Sequence, residues 1–249
     1  MPPLLKAEVK AGRRVPTFST GILNVDKAAG DTSFAVVNRL RRLTGANRVG
    51  HAGTLDPLAT GVLPILFESA TRLAEFALKL PKTYVADIHL GFTTSTDDAE
   101  AELQPVGDPS GLSAADVLEG LAAFSGRFLQ EPPAFSAVKV DGTRAYKLAR
   151  RGDEPKPKAR EVEVYESRLL DFTPGPNAVA RVEIRCGSGT YLRSIARDLG
   201  RGLNVGGYLG RLVRTAYGGL TIESAVRSSA LTDSSVSAMF VPVSPSGTG

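Results

Sequence analysis

Cysteine is nearly absent: Cys186 is the single one in 249 residues, so no intrachain disulfide can form. That cysteine and two separated histidines, His51 and His89, leave no credible zinc set. No apolar run approaches the ~18 residues that suggest a membrane span, and the N-terminus lacks the apolar core of a signal peptide. Phosphate-binding signatures are missing too: there is no Gly-x-x-x-x-Gly-Lys-Ser/Thr loop and no Gly-x-Gly-x-x-Gly after a strand. Gly187-Ser188-Gly189 lacks the third glycine, and its spacing is wrong for a nucleophile elbow. A cytoplasmic enzyme or binding protein with no membrane partner is the default expectation.

What is present is ordinary in bulk and uneven in detail. Apolar residues at 42% and charged residues at 22% suit a globular chain able to bury one large core, with or without a small appendage. A net charge of +4 hints at a polyanionic partner, and where that charge sits matters more than its size. Residues 1–20 read as a flexible arm with Lys6, Lys10, Arg13 and Arg14. The pattern predicts strands over 21–25, 62–67, 83–90 and 179–186, the last two by alternation. Thr32 or Ser33 caps a helix with Val36, Leu40 and Leu43 on one face and Arg39, Arg41 and Arg42 on the other. Residues 93–111 read as a surface loop. Ser113 opens a capping box before a helix through Leu118, Leu121 and Phe124. A further helix after Gly189 buries Leu192, Ile195, Ala196 and Leu199. Interleaved strands and helices make the fold class α/β (α+β).

Three features carry chemistry. The first is the run Arg48 to Gly61, with three glycines, His51 and the carboxylate of Asp56 in a stretch without periodicity. Pro57 biases Asp56 away from helical angles and so presents it on a shaped loop. Alone, a cap for a turn starting at Pro57 is the commoner role for such an aspartate. The second is Arg193, in the first turn of a helix whose N-terminus already carries partial positive charge. It makes sense there if it reaches a carboxylate or a phosphate, although a plain exposed arginine is the commoner case. The third is the segment from Lys139 to Arg160, with eight basic residues against Asp141, Asp153 and Glu154. It is the best local candidate for a nucleic-acid contact, evenly balanced against a solvated loop. An ionised carboxylate shielded from water can act as nucleophile or base, and tyrosine offers a face on which a nucleobase stacks. These parts suit a site that takes a nucleotide out of its stack and acts on it without a cofactor.

The run Gly50-His51-Ala52-Gly53-Thr54-Leu55-Asp56-Pro57-Leu58-Ala59-Thr60-Gly61 resembles the catalytic motif of the TruB family of tRNA pseudouridine synthases. Four further stretches match in the family's order: Gly21 to Lys27, Lys82-Thr83-Tyr84-Val85, Gly189-Thr190-Tyr191-Leu192-Arg193, and Tyr208 to Thr215. The resemblance spans about residues 20–220. It implies a catalytic domain over 21–222 with a central mixed, largely antiparallel sheet flanked by helices and loops. It also implies isomerisation of uridine 55 in the T stem-loop of tRNA, without cofactor or metal. By the same resemblance Asp56 is the nucleophile, Tyr84 packs on the flipped base, and Arg193 pairs with the aspartate. Tyr191 and Leu209 or Leu212 line the pocket, His51 holds the extruded RNA, and Lys27 supports the motif loop. Residues 130–152 correspond to an insertion that grips RNA, through Lys139, Arg144, Lys147, Arg150 and Arg151.

The chain departs from the family pattern at three places. Asp26-Lys27-Ala28-Ala29-Gly30 stands where Asp-Lys-Pro-x-Gly is common. Thr94-Ser95-Thr96-Asp97 stands where Thr-Asp-Thr is common, so an acidic support of Arg193 is either missing or moved to Asp97. The Ser-rich remainder 223–249, with at most a short helix near its start and a disordered end, is too short for a complete RNA-binding domain of the PUA type. Two rival readings remain: the same chemistry on another RNA, and a tRNA-binding or folding protein that does not catalyse. Nothing in the sequence demands more than a monomer.

Overall fold

The computed structural model describes residues 5–10 and 13–243. The expected disorder of the final residues 245–249 lies outside them. The chain forms two units: one made of residues 1–80 and 214–249, the other of residues 81–213. Among the described residues no helix is long and apolar enough to cross a membrane. Both units mix helices with largely antiparallel sheet.

In the first unit, Gly21–Lys27 pairs antiparallel with Thr60–Phe67, and Val49–His51 pairs with the end of that same strand. Thr60–Phe67 is buried at every position after the first, as a strand covered on both faces must be. The helix Ser33–Thr44 begins where Thr32 accepts the Ala35 N–H at 3.0 Å. It ends at Gly45, whose φ of 65° a glycine adopts without strain. Val36, Val37 and Leu40 face inward, while Arg41 and Arg42 complement the helix C-terminus.

The segment beyond residue 222, read from composition as a tail, is folded into this unit through residue 243. Val226–Arg227 runs parallel to Val25 and Asp26, and Val241–Pro242 pairs antiparallel with Ile22 and Gly21. A short helix, Asp233–Met239, lies between them. Its apolar residues are few but well placed: Val226, Val236 and Phe240 are buried, and Phe240 meets Phe67 edge-to-face at 5.6 Å. Residues 5–10 and 13–18, read as an arm, pair as two antiparallel strands.

In the second unit Lys82–Leu90, Val179–Cys186, Arg160–Thr173 and Gly126–Gln130 succeed one another as antiparallel neighbours. Arg160–Thr173 escapes sequence reading because its alternation is reset by register shifts between Val164 and Glu166 and between Leu169 and Asp171. Gly207–Tyr217, known from sequence only as a motif, is a strand whose last four residues belong to the first unit. The Ser113 capping box forms as expected, but the helix Ala114–Ala122 buries Val117 and Leu121 and leaves Leu118 exposed. The helix Leu192–Gly202 buries all four residues expected of it.

Candidate active site

In the first unit the loop carrying Asp56 is held from three sides. No helix starts at Pro57; residues 57–58 make a turn and the strand resumes at Thr60, so Asp56 stands half-buried on a loop. Lys27 is fully buried, and its ammonium donates to the carbonyls of Ala28, Asp31 and Pro57 at 2.9, 2.7 and 3.2 Å. Ser33, at the start of the first helix, accepts the Leu55 N–H at 2.9 Å and donates to the Leu55 carbonyl at 3.1 Å. Arg214 is the third support. It is 1% exposed and donates through Nε to the Val62 carbonyl and through Nη2 to the Gly53 carbonyl, at 2.7 and 2.9 Å. Its guanidinium lies over the Tyr217 ring at 5.0 Å. Two of the motif glycines are forced by this packing. Gly53 (φ 67°) faces Tyr217, and a Cβ on Gly61 (φ 100°) would overlap the Arg214 backbone.

His51 borders the same loop. Burial, and secondarily the positive charge of Arg214, hold its imidazole below the usual histidine range. Its Nδ1 is buried with no hydrogen-bond partner among the described residues. The neutral ring is therefore the form this environment favours, with one nitrogen uncommitted.

In the second unit, Tyr84 is 9% exposed on the apolar face of Lys82–Leu90, opposite Ile184. Arg193 is 6% exposed, which overturns the reading of a plain surface arginine. Its guanidinium donates to the carbonyls of Thr96 and Phe135 at 3.1 and 3.0 Å and lies 3.4 Å from the carboxylate of Asp98. The acidic support thus falls on Asp98, one residue later than expected; Asp97 pairs with Arg197 at 2.9 Å. Asp98 is 2% exposed and accepts the Thr96 hydroxyl and the Glu100 N–H. Residues 93–111 are consequently more than a surface loop. Their first part is tied to the wholly buried Leu209, which exchanges backbone bonds with Asp97 and Ala99. Tyr191 is fixed by a residue that sequence reasoning missed. Buried Gln130 accepts the Tyr191 N–H at 2.8 Å and donates to its carbonyl at 3.1 Å. Leu212 is buried in the same strand as Leu209.

The basic segment belongs to the second unit as well. Lys139–Val140 and Thr143–Arg144 form a hairpin closed by Asp141 and Gly142, both with positive φ, as such two-residue turns require. The short helix Ala145–Ala149 is anchored by backbone bonds from Ala145 to Val138 and from Tyr146 to Ser136. Lys139, Arg144, Lys147, Arg150 and Arg151 are all exposed on this anchored base.

The structure therefore gathers Lys27, His51 and Asp56 around one loop, and Tyr84, Tyr191, Arg193, Leu209 and Leu212 within the other unit. Asp98, Gln130 and Arg214 were not singled out from sequence. Only Arg214 gave a signal there, as part of a matched motif.

Comparison with known proteins adds three findings. Residues 41–192 match the family model described as "TruB family pseudouridylate synthase (N terminal domain)". The chain is 45% identical over 207 residues to the tRNA pseudouridine synthase B of Saccharophagus degradans, covering 83% of this chain and 66% of the relative. It is 43% identical over 226 residues to that of Acaryochloris marina, covering 91% and 78%. Among solved structures it resembles a chain of an H/ACA RNP bound to a substrate RNA containing 2′-deoxyuridine. There the TM-score is 0.64 at 26% identity, over 87% of this chain and 53% of that one. The chain thus spans about two thirds to three quarters of these curated relatives and about half of the solved chain.

Proposed function

The chain belongs to the TruB family of pseudouridylate synthases, and on that premise we propose that it isomerises uridine 55 in the T arm of tRNA to pseudouridine. The observation that supports this reading best is the Asp56 loop: a half-buried carboxylate on backbone braced by Lys27, Ser33 and Arg214. A nucleophile held in one geometry gains much of its rate from not having to be oriented during the reaction. The solved ribonucleoprotein that the chain resembles is bound to a substrate RNA, which supports RNA as the substrate class.

The target base leaves the stack and Asp56 attacks it, at the sugar or at the ring, as the bond between C1′ and N1 breaks. The freed uracil turns, C5 bonds to C1′, the bond to Asp56 breaks and returns its carboxylate, the C5 proton leaves, and N1 takes up a proton. Atoms and electrons balance without an oxidant, so the reaction needs no cofactor. Tyr84 packs on the flipped base and assists removal of the C5 proton. Arg193 holds the charge of the carboxylate and is itself positioned by Asp98. His51 steadies the extruded nucleotide, and Tyr191, Leu209 and Leu212 wall the pocket. The exposed cations from Lys139 to Arg151 hold the phosphates of the T stem. The enzyme works on tRNA in the cytoplasm as a monomer.

Tritium release from tRNA labelled at uridine C5 tests the reading. Wild type releases tritium, a transcript with cytidine at position 55 gives none from that site, and Asp56→Asn gives none above background. Release persisting in Asp56→Asn would sink the mechanism. Binding without release in wild type would favour a tRNA-folding protein, and release from a different position or RNA would reassign the target.

A further inference from the structure

The support beneath the Asp56 loop does not end at Lys27. The stretch Ala28 to Asp31, whose carbonyls hold the Lys27 ammonium, is itself exposed at Ala28, Ala29 and Gly30. It touches the motif loop directly, because the Gly30 N–H donates to the Pro57 carbonyl at 2.9 Å. Small residues and a glycine give this turn little stiffness of its own. It is closed from outside by Ser228, which is 1% exposed. The Ser228 hydroxyl accepts the Ala28 N–H at 3.0 Å and lies 3.3 Å from the Asp31 carboxylate, to which it donates. The Ser228 carbonyl accepts from Arg39 at 2.7 Å, and Arg39 approaches Asp31 at 3.9 Å. Ser228 is held in turn by Val226–Arg227, paired with Val25 and Asp26 just before Lys27.

We propose that Ser228 is a positioning residue for the reaction, fixing the 28–31 turn and through Lys27 and Gly30 the height of the loop that carries Asp56. This rests on Asp56 being the nucleophile. The serine touches neither substrate nor reacting atoms; its hydroxyl meets one backbone donor, the Ala28 N–H, and that gives a specific chemical test. Proline at position 28 has no N–H, and Lys27 before it is already in a strand, the conformation that a following proline favours. With proline there, the serine hydroxyl has nothing to satisfy at that position.

The experiment measures kcat and KM for tritium release with wild type, Ser228→Ala, Ala28→Pro and the double variant, with Asp56→Asn as the blank. Ser228→Ala is expected to lower kcat by about threefold or more while KM for tRNA stays put, because geometry and not binding is lost. In the Ala28→Pro background the same change is expected to lower kcat by a clearly smaller factor, since only the bond to Asp31 is then lost, a non-additivity that marks direct coupling. Equal fold-losses with and without the Ala28 N–H would overturn the proposal. So would a lowered thermal midpoint with wild-type kcat, which is what a merely structural serine gives. If Ser228→Ala folds poorly, the double variant decides: restored activity supports the coupling and unrestored activity overturns it. Release absent from wild type would bring down the nucleophile reading and this inference together. Release present in wild type and unchanged in Ser228→Ala brings down this inference alone.

Discussion

A buried cation that donates to backbone carbonyls can hold a loop in place as well as carry charge. Lys27 and the Arg214 atoms Nε and Nη2 donate to backbone oxygens of the loop that carries Asp56 or of its flanks, and so hold it in position. Gly61 is where this arrangement is least forgiving. Any side chain there meets the Arg214 backbone as well as the strain of a φ near 100°. Gly61→Ala should cost roughly 2–4 kcal/mol in chemical denaturation, since neither partner is a flexible tip. A loss under 0.5 kcal/mol would mean that the strand shifts freely, contrary to this packing. At this scale the sequence was partly legible. A proline after an aspartate and clustered glycines marked the Asp56 loop, and order among five motifs pointed to its chemistry. It could not show that Arg193 is buried beside Asp98, because helical spacing reveals which residues share a face and not what a loop 95 residues upstream lays over it.

Elements were read well where burial is one-sided and poorly where it is not. Lys82–Leu90 and Val179–Cys186 alternate cleanly and were found to within a residue. Gly207–Tyr217 mixes buried and polar positions without period, and Arg160–Thr173 is reset twice by bulges, so neither gave a countable signal. The basic hairpin and its short helix present exposed charge on hydrogen-bonded backbone, with Arg150 over the Tyr146 ring at 5.6 Å. Reversing Lys147 and Arg150 to glutamate should weaken tRNA binding and flatten the plot of log affinity against log salt by about 1–2 units. An unchanged slope in filter binding would return these residues to the role of a solvated face.

At the scale of the whole molecule, each unit contains one histidine held below its ordinary value of 6.5 chiefly by burial. For His89 the nearby Asp87 opposes the shift, and for His51 Arg214 adds to it. The unfolded chain therefore takes up these protons more readily than the folded one, so stability is full above about pH 6.5 and falls as pH drops through that value. Asp97, raised by burial, acts in the opposite sense: it favours the fold below its ordinary 3.8 and less as pH rises through its folded value. Thermal midpoints taken from about pH 7 to about pH 5 should fall less steeply in the double variant His51→Gln, His89→Gln than in wild type. Equal slopes would show that other groups set the acid limit. The fold class was visible from interleaved strands and helices, whereas the closure of the first unit by its distant C-terminal segment was not, because a Ser-rich composition masks three well-spaced apolar anchors. That closure has a consequence in time. Residues 81–213 are continuous and can begin folding as soon as they are made, but Gly21–Lys27 waits for partners at 226–227 and 241–242. Contacts that span nearly the whole chain form late. The strand that leads into Lys27 therefore gains its full set of pairing partners only after residue 242 has been made.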